Sequence, residues 1–469
     1  MIAPWHRSSR RRGMTLIEML VATTITLIMM GLVAQLFGVF GQGVTGSRSV
    51  IELTDQMRSV GWRLRQDLGG VTAPTLPPRR PEAAEGYFEL LEGPATDANA
   101  SAITVTSDTT SLTADCDDVL MFTTRSPGAP FVGRYRDGSS KDGTIESPVA
   151  EVAWFCVPVP ATSQLPGGPT LFTLYRRQLL VMDYVGATPF QTGGNTMAWP
   201  GTWDNFYANY DLSCALVTST ASPATRTLYP NSLRDLTMRE NRFGHNVTGS
   251  TGIAYFPYPR SSTVLSLAPL TSPRAGEDIV LNNVIAFDVR VFDPDAPIQV
   301  PGGSGAVSPG DPPLRPSDPT ASKGFVPGRA SAAFGAYVDL FWNRAIGLTG
   351  AVSSPFILFP PSGTTAFQSA GVTVAGSPSG AIISGTAVYD TWSTHYESNG
   401  LDEDQDGTVD QGTNGLDDNK NGLVDEPLEA ETSAPYPVPL RGIEVRIRCY
   451  EPSSRQVRQV TIRHTFVPY

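Results

Sequence analysis

Histidine and cysteine are scarce in this chain of 469 residues, with four of each. His6, His245, His395 and His464 stand far apart, and none sits beside a nucleophile motif. No G-x-S-x-G, Walker-type loop or H-E-x-x-H occurs, so the sequence offers no signature of the commonest hydrolases, nucleotide-binding enzymes or metalloproteases. No zinc-type Cys/His cluster is present either. Charged residues make up only 17% of the chain, and the formal charge is −11, which excludes a basic nucleic-acid-binding patch. Proline is plentiful, at 40 residues, yet none lies between Pro4 and Pro74. A long helix fits there.

That stretch opens with RRRGMTLIEMLVATTITLIMMGLVAQLF, Arg10 to Phe37. From Met14 to Phe40 the single charge is Glu18, and the rest is rich in Leu, Ile, Val and Met. A bilayer core needs ~20 apolar helical residues, so the run is long enough to span with some tilt. Arg7, Arg10, Arg11 and Arg12 precede it with no acid among them. The positive-inside bias therefore predicts a cytoplasmic N-terminus and export of everything after Phe40. A secretory signal fits less well, because its apolar core is roughly 7–15 residues and ends at a small-residue cleavage site.

Glu18 is out of place in such a run. An ionised carboxylate in the hydrocarbon edge costs a few kcal/mol unless it is paired, so an intramembrane acid is a functional candidate. Cleavage after Gly13 would give Met14 a positive amine four residues from Glu18, on the same helix face. The pair could be satisfied within one subunit or between neighbours.

Gly13-Met14-Thr15-Leu16-Ile17-Glu18, after a short basic leader, resembles the prepilin cleavage and methylation signal of type IV pilin-like proteins. The resemblance implies a membrane-embedded prepilin peptidase that cuts after Gly13 on the cytoplasmic side and methylates the Met14 amine. It also implies that Glu18 guides assembly, with other pilin-like subunits and an inner-membrane assembly platform as partners. Methionine stands at the first mature position, where phenylalanine is more usual. The alternative is an uncleaved signal anchor in which Glu18 is incidental.

Beyond the run, Val50, Leu53, Met57, Val60, Leu64 and Leu68 recur at helical spacing. The opposite face carries Glu52, Asp55, Arg58, Arg63, Arg65 and Asp67. This predicts an amphipathic continuation packed on a head, with Gly41, Gly43 and Gly46 as a flexing point. The head, rich in Gly and Pro, favours strands and long loops. Ile443, Val445, Ile447 and Cys449 alternate with Glu444, Arg446, Arg448 and Tyr450, so one face should be buried. After a turn at 452–454, Val460, Ile462 and Phe466 continue the pattern in a returning arm. Ile285, Phe287, Val289 and Val291 alternate likewise, and 118–125, 151–157, 171–182 and 334–342 are further strand candidates.

The expected fold is α+β: a long N-terminal helix on an antiparallel sheet. The expected divisions are a leader at 1–13, a transmembrane helix at 14–40, an amphipathic helix at 41–70 and a β-rich head at 71–469. The head includes a Pro/Gly-rich insertion at 293–328, expected to be an exposed excursion, and an acidic segment at 397–431.

The arms at 281–293 and 440–468 resemble the sheet of J-type minor pseudopilins of type II secretion. Members of that family have much shorter heads, and the likeness leaves 185–275 without a reading. Cys116, Cys156, Cys214 and Cys449 all lie beyond the apolar run and allow three disulfide pairings, among which sequence does not choose. Cys156 and Cys449 sit on apolar strand positions, where buried free thiols are the alternative.

The acidic segment carries a repeat. NGLDEDQDGTVD (399–410) and NGLDDNKNGLVD (414–425) recur at a period of 15 residues. Asp402, Asp404, Asp406 and Asp410, then Asp417, Asn419, Asn421 and Asp425, stand at positions one, three, five and nine of a calcium loop, with glycine at six. Position twelve is Thr413 or Leu428, so the usual bidentate Glu is missing. Asp410, Asp425, Glu426 or Glu429 could complete the sites. Between Glu397 and Glu431 stand twelve acids and one base, Lys420, which repel one another without cations. Two calcium ions are expected. The alternative is a solvated acidic loop.

These features together point to a non-enzymatic minor pseudopilin of a type II secretion or type IV pilus-like filament. It should be anchored in a bacterial inner membrane with its head in the periplasm. Two other readings stay open: an adhesive surface minor pilin, and a monomeric calcium-stabilised envelope protein.

Overall fold

The computed structural model describes residues 14–75, 81–92, 102–104, 111–113, 115–137, 141–166, 168–190, 194–219, 225–238, 241–245, 263–267, 269–271, 273–299, 315, 333–340, 371–374, 382–383, 387–392 and 440–466. Within the acidic segment it describes 398, 400, 408–410, 413–418, 420, 422, 424 and 425. Side chains of 39–47 are not described.

One α-helix runs from Leu16 to Gly69, 54 residues. It passes unbroken through Gly41, Gly43 and Gly46, where a flexing point was expected. Its first part, Leu16–Gly38, has mean hydropathy 2.1 and no face covered by protein. Three threonines fall in this apolar part. Each hydroxyl donates to a carbonyl one turn back: Thr23 to Met19 O and Leu20 O, Thr24 to Leu20 O, and Thr26 to Ala22 O. No polar group of theirs is left for lipid to solvate.

The helix's C-terminal half lies on a nine-stranded sheet. The strand order is Ala387–Asp390, Phe88–Glu92, Val119–Arg125, Val149–Pro158, Phe172–Leu180, Ile279–Ile298, Gly442–Glu451, Gln456–Thr465. Ala333–Val338 also pairs with the Ile279–Ile298 strand, over 291–298. Every pairing in this sheet is antiparallel. The fold is α+β and antiparallel, as the patterning implies.

Leu53, Met57, Val60, Leu64 and Leu68 are buried against Phe122, Trp154, Phe287, Val445 and Ile462. Each such side chain contributes about 2 kcal/mol when removed from water. Asp67 departs from its expected place on the helix's polar face: it is 3% exposed. The cause is a partner distant in sequence. Arg176 donates to Asp67 through Nε (2.6 Å) and Nη2 (2.8 Å), and Trp154 Nε1 donates to the same carboxylate (3.1 Å). The helix end is then pinned by backbone. Thr124 Oγ1 donates to Asp67 O, and Arg125 N donates to Gly70 O. Gly70 is required there, because a Cβ would collide with the Arg125 carbonyl.

The Gly442–Glu451 strand also differs from its pattern. All residues from Gly442 to Tyr450 are buried, Glu444, Arg446 and Arg448 included. Arg446 Nε and Arg463 Nε both donate to Glu444, at 2.7 and 2.6 Å. Burial by itself would raise this carboxyl, but the two guanidiniums outweigh it and hold Glu444 below the usual range.

The N-terminal half of the sheet is covered on its second face too. Tyr87, Met121, Phe155 and Leu179 pack there against Leu236, Phe243 and Trp392. The region 185–275, without a reading in sequence, supplies part of this cover and an aromatic subcore. A short helix, Trp203–Tyr207, stacks Phe206 on Tyr210 (5.1 Å) beside a ribbon of Cys214–Thr218, Arg226–Pro230 and Met197–Ala198. The Pro-rich segment at 293–328 begins inside the Ile279–Ile298 strand, where a register shift between Asp293 and Pro297 accommodates its prolines. Residues 300–328 lie outside the described residues, Arg315 excepted.

Asp67→Ala should cost about 3–5 kcal/mol, because it strands the Arg176 guanidinium in the core. Replacing both partners, Asp67→Leu with Arg176→Met, should cost far less. Denaturant titration of both variants by tryptophan fluorescence measures the difference. Equal losses would show that the pair carries no burial penalty.

Candidate functional sites

The first candidate is the helix N-terminus. Thr15 is the N-cap, with extended backbone. Its Oγ1 accepts from Glu18 N (3.3 Å), while Thr15 N (2.8 Å) and Thr15 Oγ1 (3.1 Å) donate to Glu18 Oε2. This reciprocal capping box satisfies helix-end donors and places the acid in the first turn, against the positive end of the dipole. Within this subunit Glu18 therefore has Thr15 as its partner. Met14 is exposed beside it. Gly13 lies outside the described residues.

The second candidate is the acidic repeat. Asp402, Asp404, Asp406, Asn419 and Asn421 lie outside the described residues. Asp410, Asp417 and Asp425 are described. Gly400 N donates to both Asp410 oxygens at 3.1 Å, and Gly415 N donates to Asp425 Oδ1 at 2.8 Å. The two contacts span the same ten residues. Asp410 and Asp425 both have positive φ, 53° and 51°. Gly422 N donates to Asp417 Oδ2 (2.7 Å), so position six turns back onto position one. Gly422 has φ 94°, which a side chain would strain. Sequence period and local geometry thus repeat together.

A third cluster has no motif. Asp115, Asp118 and Asp288 are buried, and one oxygen from each lies within 4.8 Å of the other two. The same convergence suits a divalent cation or carboxyls that keep their protons. Val289 N donates to Asp118 Oδ2 (2.6 Å), and Asp288 meets Arg290 at 3.0 Å. Burial, then the charges of Asp117 and Asp288, push the Asp118 carboxyl well above its ordinary value. Asp288 and Asp118 are far apart in the chain, and the docking of the 115–118 segment on the Ile279–Ile298 strand, with Phe287 N donating to Asp115 O, brings them together.

The buried histidine is structural. His245 and Arg242 both meet Glu89 Oε2, at 3.0 and 2.8 Å, and Arg242 also meets Asp390 (3.0 Å). Arg242 lies 4.1 Å from the centre of the Tyr87 ring, whose hydroxyl donates to Glu151. All of these groups are sealed from solvent. The network fastens 241–245 to the sheet. His464 sits in the returning arm against Phe466, and burial lowers its pKa. All four cysteines are buried.

A family model described as the prokaryotic N-terminal methylation motif matches residues 8–34. The chain has a type IV pilin-type N-terminus. The match covers Arg10, Arg11 and Arg12 of the leader, Gly13, Met14, the Thr15–Glu18 capping box and most of the apolar part of the helix. No curated protein and no solved structure matches the chain. With an exposed apolar helix leading into an antiparallel α+β head, it fits a type IV pilin-like protein: a membrane-anchored kind of structural subunit that a prepilin peptidase processes.

Asp118 has a pH signature. Its folded pKa lies above the unfolded value near 3.8, so the native state holds a proton that the unfolded chain releases. The group's contribution is complete below that value and is lost as pH rises towards the folded pKa. Asp118→Asn keeps the acceptor for Val289 N. The variant should therefore gain melting temperature relative to the parent as pH rises from 4 to 7. A constant difference across that range would mean that Asp118 ionises normally.

Proposed function

We propose that the protein is a minor pseudopilin: a non-enzymatic subunit of a periplasmic or surface filament of the type II secretion or type IV pilus kind. The methylation motif at 8–34, continuous with an apolar helix seated on the head, carries this reading. A peptidase cuts after Gly13, and N-methylated Met14 becomes the mature terminus. The leader stays cytoplasmic, the helix spans the inner membrane and the head lies in the periplasm, in keeping with four leader arginines and no acid. Removing the leader takes the formal charge from −11 to −15.

Glu18 then has two possible partners. In the lone subunit it accepts from Thr15. In the filament it pairs with the amine of a neighbouring Met14, a charge-assisted contact that is stronger in hydrocarbon than the neutral one. The resemblance of 281–293 and 440–468 to J-type pseudopilins favours a secretion filament. An adhesive minor pilin is the alternative.

Glu18→Ala should leave cleavage and insertion intact while abolishing co-purification with other pilin-like subunits. Mass spectrometry of the N-terminal peptide should find N-methylated Met14 in both proteins. Recovery of intact leader in the native host, or unchanged co-purification of the variant, refutes the assignment.

We also propose that the 397–431 segment binds two calcium ions, through Asp402, Asp404, Asp406 and Asp410, and through Asp417, Asn419, Asn421 and Asp425. The repeated Gly-to-Asp contacts and the turn at Gly422 favour this over a solvated loop. Calcium takes 6–8 oxygens, so backbone carbonyls and water complete each shell, while magnesium, which needs a tighter octahedron, competes poorly. The second loop has two asparagines in place of aspartates and should empty first on chelation. Calorimetric titration of the purified protein should give saturable binding and a rise in melting temperature. No binding at millimolar calcium returns the segment to a solvated loop.

A further inference from the structure

We infer that Cys116 and Cys156 form an intramolecular disulfide in the exported head, while Cys214 and Cys449 remain thiols. The inference rests on the periplasmic placement proposed above, since disulfides persist in oxidising compartments. Sequence leaves three pairings of four cysteines. The fold separates them. Cys116 and Cys156 belong to one core cluster beneath the helix, whereas Cys214 lies in the aromatic subcore. Cys449 shares the first cluster, but its Sγ is directed at Asn282 O (3.0 Å).

The strand register brings the first two together. The ladder between the Val119–Arg125 and Val149–Pro158 strands ends at Val119 opposite Phe155, one residue from Cys156 and three from Cys116, and both thiols lie in the same core cluster. The two thiols meet, and their interaction adds to burial in keeping Cys116 protonated. A protonated, buried thiol is a poor nucleophile, so oxidation takes place before the core closes over it. The chemistry is thiol–disulfide exchange with a disulfide-carrying protein oxidant of the envelope. One cysteine thiolate attacks the oxidant's disulfide and releases a thiol. The second then displaces the mixed disulfide. The pair loses two electrons and two protons and gains one S–S bond, while the oxidant's disulfide becomes two thiols.

The bond would close a loop holding the Phe131–Arg136 and Asp142–Ser147 hairpin and anchor the 115–118 segment. That segment meets the central strand, where Phe287 N donates to Asp115 O and Val289 N to Asp118. A staple there removes unfolded-state freedom at a junction that otherwise depends on buried aspartates.

The test uses the full-length protein twice. One sample comes from its native membrane, and the other is refolded from urea in detergent with a glutathione redox buffer. Both are alkylated under denaturing, non-reducing conditions, digested and analysed by mass spectrometry. The expected result is a linked Cys116–Cys156 peptide, with Cys214 and Cys449 alkylated. Four alkylated cysteines after refolding, or a different linked pair, overturns the inference. Linkage on refolding with four free thiols in the native membrane supports the pairing and overturns the export reading instead. In a Cys214→Ala/Cys449→Ala background, reductant should lower the melting temperature by a few degrees. Adding Cys116→Ala should abolish that sensitivity, and its persistence counts against the disulfide.

Discussion

The Asp67–Arg176 pair holds the helix to the head in one orientation. Apolar burial of Leu53, Met57, Val60, Leu64 and Leu68 attaches the helix, but burial is non-directional and tolerates sliding and rotation. A bidentate carboxylate–guanidinium contact does not. With Trp154 on the same carboxylate and Arg125 N on Gly70 O, it fixes where the helix stops and which face looks inward. The helix is continuous, so that choice also sets how the lipid-facing half leaves the head.

The sheet explains the chain's unusual polar interior. A one-faced sheet under a helix needs alternating polar and apolar residues. Here the polar positions of the Phe88–Glu92 and Val149–Pro158 strands are covered by residues of 231–238 and 241–245 and by Trp392, so Glu89 and Glu151 are buried. Each is satisfied at close range: Glu89 by Arg242, and Glu151 by Tyr87, Ser213 and the Phe243 amide. Such networks are costly to break and specify one arrangement. They explain how a long excursion can dock on a sheet without enlarging its hydrophobic face.

The N-terminal motif and the head's sheet occupy different parts of the molecule. The motif and Glu18 sit at one end of the helix. In sequence, the acidic repeat lies between the Ala387–Asp390 edge strand and the Gly442–Glu451 strand, and its described residues belong to neither. A segment with so much like charge gains nothing from core burial, and a cation would organise it locally.

Features carried by one element were legible in sequence. The span, the basic leader, the motif around Gly13 and Glu18, the stripe from Leu53 to Leu68 and the strand alternations each need only neighbouring residues, because helix and strand periods are local. The period of the acidic repeat was legible for the same reason. Asp67 was misplaced on a polar face, and Arg446 and Arg448 on an open one, because their partners stand on other strands and local periodicity cannot report them. The Asp115–Asp118–Asp288 cluster, the sealed Arg242 network and the meeting of Cys116 with Cys156 likewise exist only through segments that dock on strands far away in the chain. Tertiary structure decided them, because a charge or thiol acquires its environment from residues that the chain brings back from far away.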